Sequence, residues 1–286
     1  MNGIATGHDS HPQVVSERSP SARALTFTIL AEYLRDPESR LWSNTLIEAL
    51  GAMGIAEAAA RRALARAGES GWIESERAGR QVFWKATPTA VALFTEAREE
   101  AYVRRRNPEA WNGKFLILIT TVSETQRPLR HALRTRLLWL GFGAVGRGIW
   151  ISPRPGIAHR VAPVLEELEL SRNVISFVGN VGPLGSEYEV VHEAWDIMSL
   201  SRDYQGFLMD MEAMPTPATP LETFQMLTGL VHRWRNFLLV DPGLPHELLP
   251  QGWAGHTAAK KFYELHDTWF PVASKWLADL NGDGPI

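Results

Sequence analysis

The sequence predicts a multidomain α+β protein, and three patterns along its 286 residues indicate this fold class. Residues 21–87 show three helical patterns followed by a hairpin, residues 107–190 alternate strands with helices, and residues 191–286 are mainly helical. Apolar residues recur at helical spacing in the outer parts, whereas the middle part holds short continuous apolar runs typical of strands. We therefore expect an N-terminal winged helix-turn-helix, a central ferredoxin-like α+β domain and a C-terminal helical domain.

The N-terminal part contains three consecutive segments with helical periodicity. They cover residues 21–35, 42–53 and 57–69, with a break at Gly54. The third segment groups alanines and one leucine on one face and projects arginines from another. A hairpin follows, with strands beginning at residue 71 and at residue 81 and a turn over residues 77–80. This order of elements predicts a winged helix-turn-helix.

The basic side chains of this part indicate a DNA-binding surface. The third helix of a helix-turn-helix lies in the major groove, where a guanidinium can pair with guanine or with a phosphate. The basic tip of the hairpin would reach a neighbouring backbone or the minor groove. The candidate DNA contacts are Arg61, Arg62, Arg66, Arg77, Arg80 and Lys85. The alternative interpretation is an ordinary exposed basic helix face beside a hairpin.

Composition excludes several classes of protein. The chain has no cysteine, which excludes disulfides, thiolate catalysis and cysteine-ligated zinc. No apolar run approaches the ~20 residues of a membrane span, so we expect no membrane partner. Residues 1–20 are polar and lack the apolar core of a signal peptide, so we expect a disordered tail and a cytoplasmic protein.

The net charge of −3 is distributed unevenly along the chain. Residues 1–106 contain 14 basic and 13 acidic side chains, residues 107–186 contain 9 and 5, and residues 187–286 contain 6 and 14. The acidic excess therefore lies in the last third. Because DNA binding requires a local basic surface rather than a basic protein, the overall charge is compatible with a DNA-binding function.

A linker helix and a small sheet domain are predicted in the middle of the chain. Residues 88–106 form a long helical pattern that ends in three arginines, followed by the boundary Asn107-Pro108. Strands are predicted over 115–122, 148–152 and 174–178, with helices over 128–140 and 157–168; we expect the first strand to be buried on both faces. Since sheet edges need cover, residues 107–190 are our predicted dimerisation domain.

A glycine motif in this domain resembles a dinucleotide-binding fingerprint. Residues 141–146 match G-x-G-x-x-G, which requires a preceding strand and a following helix to place a pyrophosphate at the helix N-terminus. Here the order is reversed, with a helix before the motif and a strand after it. We interpret the segment as a helix end and a turn, and we expect no cofactor.

Signatures of catalysis are weak, so we expect no enzymatic activity. His246-Glu247 begins like a zinc-binding H-E-x-x-H motif, but Pro250 replaces the second histidine. A metal-dependent nuclease or nucleic-acid-processing module built on the ferredoxin-like domain remains the alternative function. Such a nuclease would need an aspartate at the end of its first strand. The chain has threonine and serine there, and Glu124 is the nearest acid.

Helical periodicity covers most of the last third. We predict helices over 195–211, 221–239, 253–265 and 269–280, with a proline-rich linker over 214–220 and a tight loop over 241–245. With this part included, the whole chain resembles the PaaX family of repressors of phenylacetate-type aromatic catabolism. The stretches that carry the resemblance are 27–34, 59–72, 111–114, 137–143, 150–153 and 241–255.

The resemblance implies a homodimeric, three-domain repressor that an aryl-coenzyme A thioester, such as phenylacetyl-CoA, releases from double-stranded operator DNA. An acyl-CoA ligand needs an apolar slot and a few cations for its phosphates. In the acidic last third, basic side chains near aromatic rings are candidates for these contacts. The candidate effector residues are Trp195, Arg202, Arg233, Trp234 and Arg235. The alternative is that these arginines pair with local carboxylates.

Overall fold

The computed structural model describes residues 20–34, 36, 38–79, 81–98, 110–123 and 125–282. It confirms a mixed α+β protein with small sheets and a helical C-terminal part. The helices are α1 (Ala22–Tyr33), α2 (Ser43–Ala52), α3 (Glu57–Glu69), α4 (Pro88–Arg98), α5 (Arg127–Trp139), α6 (Ala158–Glu167), α7 (Glu187–Ala194), α8 (Ile197–Ala213), α9 (Pro220–Val240) and α10 (Ala254–Asn281). The strands are β1 (Leu41–Trp42), β2 (Ile73–Ala78), β3 (Gln81–Ala86), β4 (Phe115–Thr120), β5 (Gly143–Ala144), β6 (Ile149–Ser152) and β7 (Val174–Gly179).

The chain divides into two units that do not follow the order of the sequence. One, which we call the sheet unit, contains residues 108–206 and 236–255. The other, which we call the reading unit, contains residues 17–107, 207–235 and 256–286. The last third of the chain therefore contributes residues to both units.

The helices predicted in the first part of the chain are confirmed. Ser21 starts α1, and its hydroxyl accepts a hydrogen bond from the backbone N–H of Ala24 at 3.2 Å. The third helix spans the residues expected from its periodicity, and its core-facing positions are buried: Ala60, Ala63, Leu64 and Ala67. The small side chains at these positions allow close packing of α3 against α1 and α2.

The predicted hairpin is also present, together with one strand that the sequence did not predict. Strands β2 and β3 pair antiparallel from Ile73↔Ala86 to Ala78↔Gln81, and Gly79 turns between them with φ of +63°. The additional strand β1 pairs with β3, so that the sheet order is β1-β3-β2. Two residues are too few to show the alternation that identifies a strand, which is why β1 was missed.

Two predicted segments extend beyond the described residues. The predicted linker helix is observed as Pro88–Arg98, and the arginine triplet at 104–106 lies outside the described part of the chain. The predicted disordered tail, except for Pro20, also lies outside it.

The sheet unit is built on a four-stranded antiparallel sheet of order β5-β6-β4-β7. Helix α5 follows β4, and α6 follows β6, so that the chain runs strand-helix-strand-strand-helix-strand. The core forms where these helices cover one face of the sheet. Its buried residues are Leu116, Leu118, Leu133, Leu137, Phe142, Trp150, Ile157, Val161 and Leu170.

The prediction that β4 is buried on both faces is correct at Phe115 and Leu116 but wrong at the end of the strand. Leu116 and Leu118 are buried, but Ile119 is 38% exposed on the opposite face. In the antiparallel register Ile119 lies beside Ile149 and Ile175, and these residues are also exposed. A continuous apolar run does not distinguish a strand covered on both sides from one that leaves an apolar face open.

The glycine segment at residues 141–146 lies between a helix and a strand, as its sequence predicts. Helix α5 precedes the segment, β5 lies within it and β6 follows it, so the order of elements is the reverse of the strand and helix that the fingerprint requires. Gly141 has φ of +81°, and a Cβ atom there would lie 2.7 Å from Nη2 of Arg154 and 3.1 Å from the carbonyl oxygen of Pro242. A Cβ atom at Gly143 would lie 2.6 Å from Ala194 and Trp195. These glycines allow close packing within the sheet unit.

The helical part differs from its prediction in two places. Helix α7 was not predicted, although Ser186 and Glu189 form a capping box at its start. The two helices expected over 253–265 and 269–280 are instead one helix, α10, which continues through Pro271. Within the described residues, no helix combines the length and apolar character needed to cross a membrane.

Candidate nucleic-acid interface

Helix α3 presents arginines on its exposed face, opposite the buried alanines. Arg62 and Arg66 are four residues apart and therefore lie one above the other on adjacent turns. Both side chains are exposed, and neither makes a hydrogen bond or ion pair within the described part of the chain. Their guanidinium groups thus keep all five N–H donors for an external acceptor.

Arg61 projects from the same helix in a different direction, about 100° around the axis from Arg62. Its Nη2 and Nε donate to Oε1 of Glu57 at 2.7 and 2.9 Å. Arg61 also lines a cleft of about 460 Å³. The other residues lining it are Trp42, Ser43, Asn44, Thr45, Glu48, Gln81, Val82, Leu280, Asn281 and Gly282. Arg61 is therefore partly engaged before any ligand binds.

The basic residues of the hairpin have different surroundings. Arg77 is exposed on β2 with no partner among the described residues, whereas Arg80 lies outside the described residues. Lys85 Nζ lies 2.5 Å from Glu76 Oε1 and 3.2 Å from Glu74 Oε1. The hydrogen bond with Glu76, followed by that with Glu74, raises the pKa of Lys85, and Lys85 correspondingly lowers the pKa of Glu76. The charge of Lys85 is therefore neutralised locally.

Contacts from α9 and α10 hold α1 within the reading unit. His266 Nε2 lies 3.0 Å from Oε1 of Glu32, and both side chains are buried. Thr28 Oγ1 lies 3.1 Å from Nδ1 of His232, whose pKa is lowered by burial and by the nearby Arg235 charge. Local sequence patterns do not indicate these contacts, because the paired residues are more than 200 positions apart.

The candidate effector residues are divided between the two units. Trp195 and Arg202 are in the sheet unit, whereas the remaining three are in the reading unit. Trp195 is buried, and its indole N–H has no hydrogen-bond partner in the described structure. Arg202 is exposed and makes no ion pair or hydrogen bond with any described residue. These two residues therefore retain unused donors.

The candidates on α9 are engaged by neighbours. Arg233 forms an ion pair with Asp210, with Nη2 and Oδ2 2.5 Å apart. The guanidinium of Arg235 lies 4.2 Å from the ring centroid of Phe27. Trp234 is 1% exposed and stacks on Phe262 with ring centroids 4.6 Å apart. Helical residues two positions apart point in nearly opposite directions, which explains why Arg233 and Arg235 have different partners.

The loop over 241–245 is fastened within the sheet unit. The hydroxyl of Tyr204 donates to Oδ2 of Asp241 at 2.5 Å, and Oδ1 of the same carboxylate accepts from Gly243 N–H at 2.7 Å. The Tyr204 ring stacks on Phe237, with ring centroids 4.1 Å apart, and meets Trp253 edge-on. Asp241 therefore joins α8 to this loop.

The described residues do not favour the nuclease alternative. Thr120 Oγ1 donates to Gly148 O, and Thr121 Oγ1 donates to Asn173 O, so these hydroxyls are used in backbone contacts. Glu124 lies outside the described residues. Within the ranges that the structure describes, no group of three or more histidine, aspartate or glutamate side chains is placed to hold a metal ion.

Comparison with known proteins gives consistent matches across three segments. Residues 21–90 match a family model described as PaaX-like protein, residues 108–191 match the PaaX protein central Cas2-like domain, and residues 195–279 match the PaaX-like protein C-terminal domain. The transcriptional repressor PaaX of Escherichia coli (strain K12) is 27% identical over 270 residues, which cover 91% of this chain and 84% of that protein. The solved structure of the uncharacterized protein Rv0674 from Mycobacterium tuberculosis has a TM-score of 0.61 at 22% identity and covers 89% of this chain and 98% of that one, a likeness of fold.

Proposed function

The chain belongs to the PaaX family, as the sequence resemblance predicted, and from that premise we propose that it is a DNA-binding transcriptional repressor of an aromatic, phenylacetate-type catabolic operon. The similarity to a protein named transcriptional repressor PaaX supports this role. The observation that carries the proposal is the pair of unpartnered arginines, Arg62 and Arg66, on the exposed face of α3.

We interpret the segment from α1 to β3 as a winged helix-turn-helix. Three helices precede an antiparallel hairpin, and the arginines project from the third of these helices. In this arrangement α3 would enter the major groove, where Arg62 and Arg66 reach base edges or phosphates. The hairpin would contact the adjacent backbone through Arg77 and Arg80, with smaller roles for Arg61 and Lys85 because glutamates already engage them.

Binding of the full chain to promoter DNA tests this function. Labelled duplexes from promoters of aromatic-catabolic genes and scrambled duplexes of equal length are titrated at the same salt concentration. We expect a promoter duplex to bind at least about 1000-fold more tightly than the scrambled duplex. Equal affinity for every duplex would contradict a sequence-specific repressor.

We further propose that the chain forms a homodimer through the sheet unit. Its strand order corresponds to the predicted ferredoxin-like arrangement. The open sheet face carries exposed Ile119, Ile149, Ile175 and Phe177, and β7 is an uncharged edge strand. A second copy would cover this apolar face and edge. Light scattering is expected to give twice the chain mass of 32.0 kDa, and a Phe177→Lys variant to give the chain mass; a wild-type monomer would contradict the proposal.

The effector that we propose is phenylacetyl-CoA or a related acyl-CoA, bound near Trp195 and Arg202. Their unused donors support this placement. Arg233, Trp234 and Arg235 remain predicted contacts, but Arg233 would first have to leave Asp210. Calorimetry with phenylacetyl-CoA is expected to show weaker binding to Arg202→Ala than to Arg233→Ala/Arg235→Ala. Equal binding by wild type and both variants would exclude these arginines, and an absence of binding to wild type would exclude this ligand.

Release from DNA requires that the ligand bind the DNA-free conformation more tightly, because a ligand shifts an equilibrium only by its differential affinity. Adding phenylacetyl-CoA to the protein–promoter complex is therefore expected to raise the apparent Kd for DNA. The matched control is free coenzyme A, which has the phosphates but lacks the aryl group. An unchanged Kd with the thioester would contradict effector release.

A further inference from the structure

Helix α2 is held at both of its ends by side-chain amides from the last third of the chain. At its C-terminal end, Nε2 of Gln225 on α9 donates to the carbonyl oxygen of Ala52 at 2.6 Å. At its N-terminal end, Oδ1 of Asn281 on α10 accepts from the backbone N–H of Trp42 at 3.0 Å. All of these residues belong to the reading unit.

The backbone groups that these amides contact are ones that α2 cannot satisfy by itself. Trp42 is the N-cap of α2 and Ala52 is its last residue, so the Trp42 N–H and the Ala52 carbonyl have no partner within the helix. The side chain of the N-cap residue Trp42 makes no capping hydrogen bond. Gln225 and Asn281 therefore supply contacts that capping residues within the segment usually provide.

Asn281 makes a second backbone contact on the same side. Its Nδ2 donates to the carbonyl oxygen of Arg40 at 2.8 Å. The same amide therefore bonds Arg40, just before β1, and Trp42, the N-cap of α2. The side chain is 3% exposed, and a buried amide held by an acceptor and a donor has a defined orientation. The end of α10 thus fixes the position at which the chain enters α2.

Further contacts from α9 to this part of the chain reach α1. They include the Thr28–His232 pair and the contact between Tyr33 Oη and Thr228 Oγ1 at 3.4 Å. A change in the position of α9 or α10 would therefore act on α1 through one set of contacts and on the ends of α2 through another. Helix α3 packs against both α1 and α2, so its orientation depends on the angle between them.

We propose that Gln225 and Asn281 are positioning residues that set the orientation of α2, and through it of α3, for DNA reading. This inference rests on the proposed DNA-binding function. A side-chain amide is directional, and its net contribution to stability is modest, so the contact can be broken and remade when α9 and α10 move. These two amides would then connect a change in the C-terminal helices to the DNA-contacting surface.

Comparison of Gln225→Ala/Asn281→Ala with Tyr33→Phe tests the proposal in the full chain. Tyr33→Phe removes a hydrogen bond between α9 and α1 but leaves the ends of α2 in place, so it controls for a general loss of stability. We expect the double variant to bind promoter DNA about tenfold more weakly than wild type, and Tyr33→Phe to bind as wild type does. Equal losses in the two variants would overturn the proposal.

Hydrogen–deuterium exchange provides a readout that needs no DNA. We expect amides in peptides covering residues 43–69 to exchange faster in the double variant than in wild type, with a smaller change in peptides covering residues 22–33. Uniform change over both ranges, or none, would overturn the positioning role even if the wild-type chain bound no promoter. If Asn281→Ala does not fold, Gln225→Ala alone is compared with Tyr33→Phe. The same differences in DNA affinity and in exchange then support or overturn the proposal.

Discussion

Helices α3 and α9 both carry closely spaced arginines in the reading unit, but these arginines differ in their contacts with neighbouring side chains. On α3, Arg62 and Arg66 have no partner among the described residues. On α9, Arg233 is paired with Asp210, and Arg235 lies over Phe27. The spacing explains part of this difference, because side chains four apart share a face whereas side chains two apart do not. We infer that Arg62 and Arg66 of α3 are available for binding because the described part of the fold gives them no partner.

The surroundings of the two helices explain the rest of the difference. The arginine face of α3 lies between small side chains on an exposed helix, and its only acids within the helix are at the two ends. Helix α9 lies in the acidic last third of the chain, where a carboxylate can reach Arg233. A helix surrounded by acids is therefore a weaker candidate for phosphate recognition, even when arginines and aromatic rings are adjacent.

The largest expected effect is on stability and concerns the centre of α9. Trp234→Ala removes a fully buried indole stacked on Phe262, so we expect a loss of about 3–5 kcal/mol in the free energy of unfolding. Arg233→Ala removes a half-exposed ion pair and is expected to cost less than about 1 kcal/mol. Urea denaturation measures both. Similar losses of unfolding free energy in the two variants would contradict the expectation that Trp234 stabilises the fold much more than the Arg233–Asp210 ion pair does.

The next effect is on DNA affinity and concerns α3. Arg62→Ala and Arg66→Ala are each expected to cost about 1–3 kcal/mol of promoter binding, since each removes a guanidinium that reaches a base edge or phosphate. Fluorescence anisotropy at fixed salt measures the Kd, with Arg172→Ala, an exposed arginine of the sheet unit, as the control. If Arg172→Ala weakened promoter binding as much as either α3 variant, the arginines of α3 would be no more important for DNA binding than other basic residues.

A smaller effect concerns pH and the junction of α9 with α1. Burial and the Arg235 charge lower the pKa of His232 below its ordinary value of 6.5. His232 therefore binds a proton more tightly in the unfolded chain than in the folded chain. Its contribution to the free energy of unfolding is present above pH 6.5 and is lost as the pH falls through the folded-state pKa. Denaturation at about pH 7.5 and about pH 5.5 is expected to show a smaller decrease in His232→Gln than in wild type. Identical decreases would contradict this role.

The smallest effect is expected at Lys85. Because Glu74 and Glu76 already neutralise its ammonium group, Lys85→Ala is expected to change promoter affinity by less than about twofold. The measurement is the same anisotropy titration, repeated at two salt concentrations to follow phosphate contacts. A loss equal to that of Arg66→Ala would show that pairing within the protein does not decide which cations contact DNA.

The sequence predicted local structure well where periodicity is strong. Helix α3 begins and ends at the expected residues because its small buried positions recur regularly over thirteen residues. Strand β1 was missed because it has only two residues, and the two helices predicted over 253–265 and 269–280 form the single helix α10. Whether a two-residue strand forms, and how far a long helix extends, depends on packing with distant parts of the chain.

The sequence predicted which residues are candidates for the site, but not which of them form contacts within the protein. The positions of Arg62 and Arg66 follow from the helix pattern, whereas the pairing of Arg233 with Asp210 depends on how two helices pack. The contact of Gln225 with Ala52 joins residues 173 positions apart, and neither belongs to a motif. Sequence patterns therefore identify exposed faces, and only the structure shows which side chains remain available on them.

The most direct test compares promoter binding by two double variants at the same salt concentration. Arg62→Ala/Arg66→Ala removes the unpartnered arginines of α3, and Arg233→Ala/Arg235→Ala removes the engaged arginines of α9. We expect the α3 variant to lose at least about 30-fold in affinity and the α9 variant to stay within a few-fold of wild type. Equal affinity of the α3 variant and wild type would contradict the assignment of α3 as the DNA-reading surface.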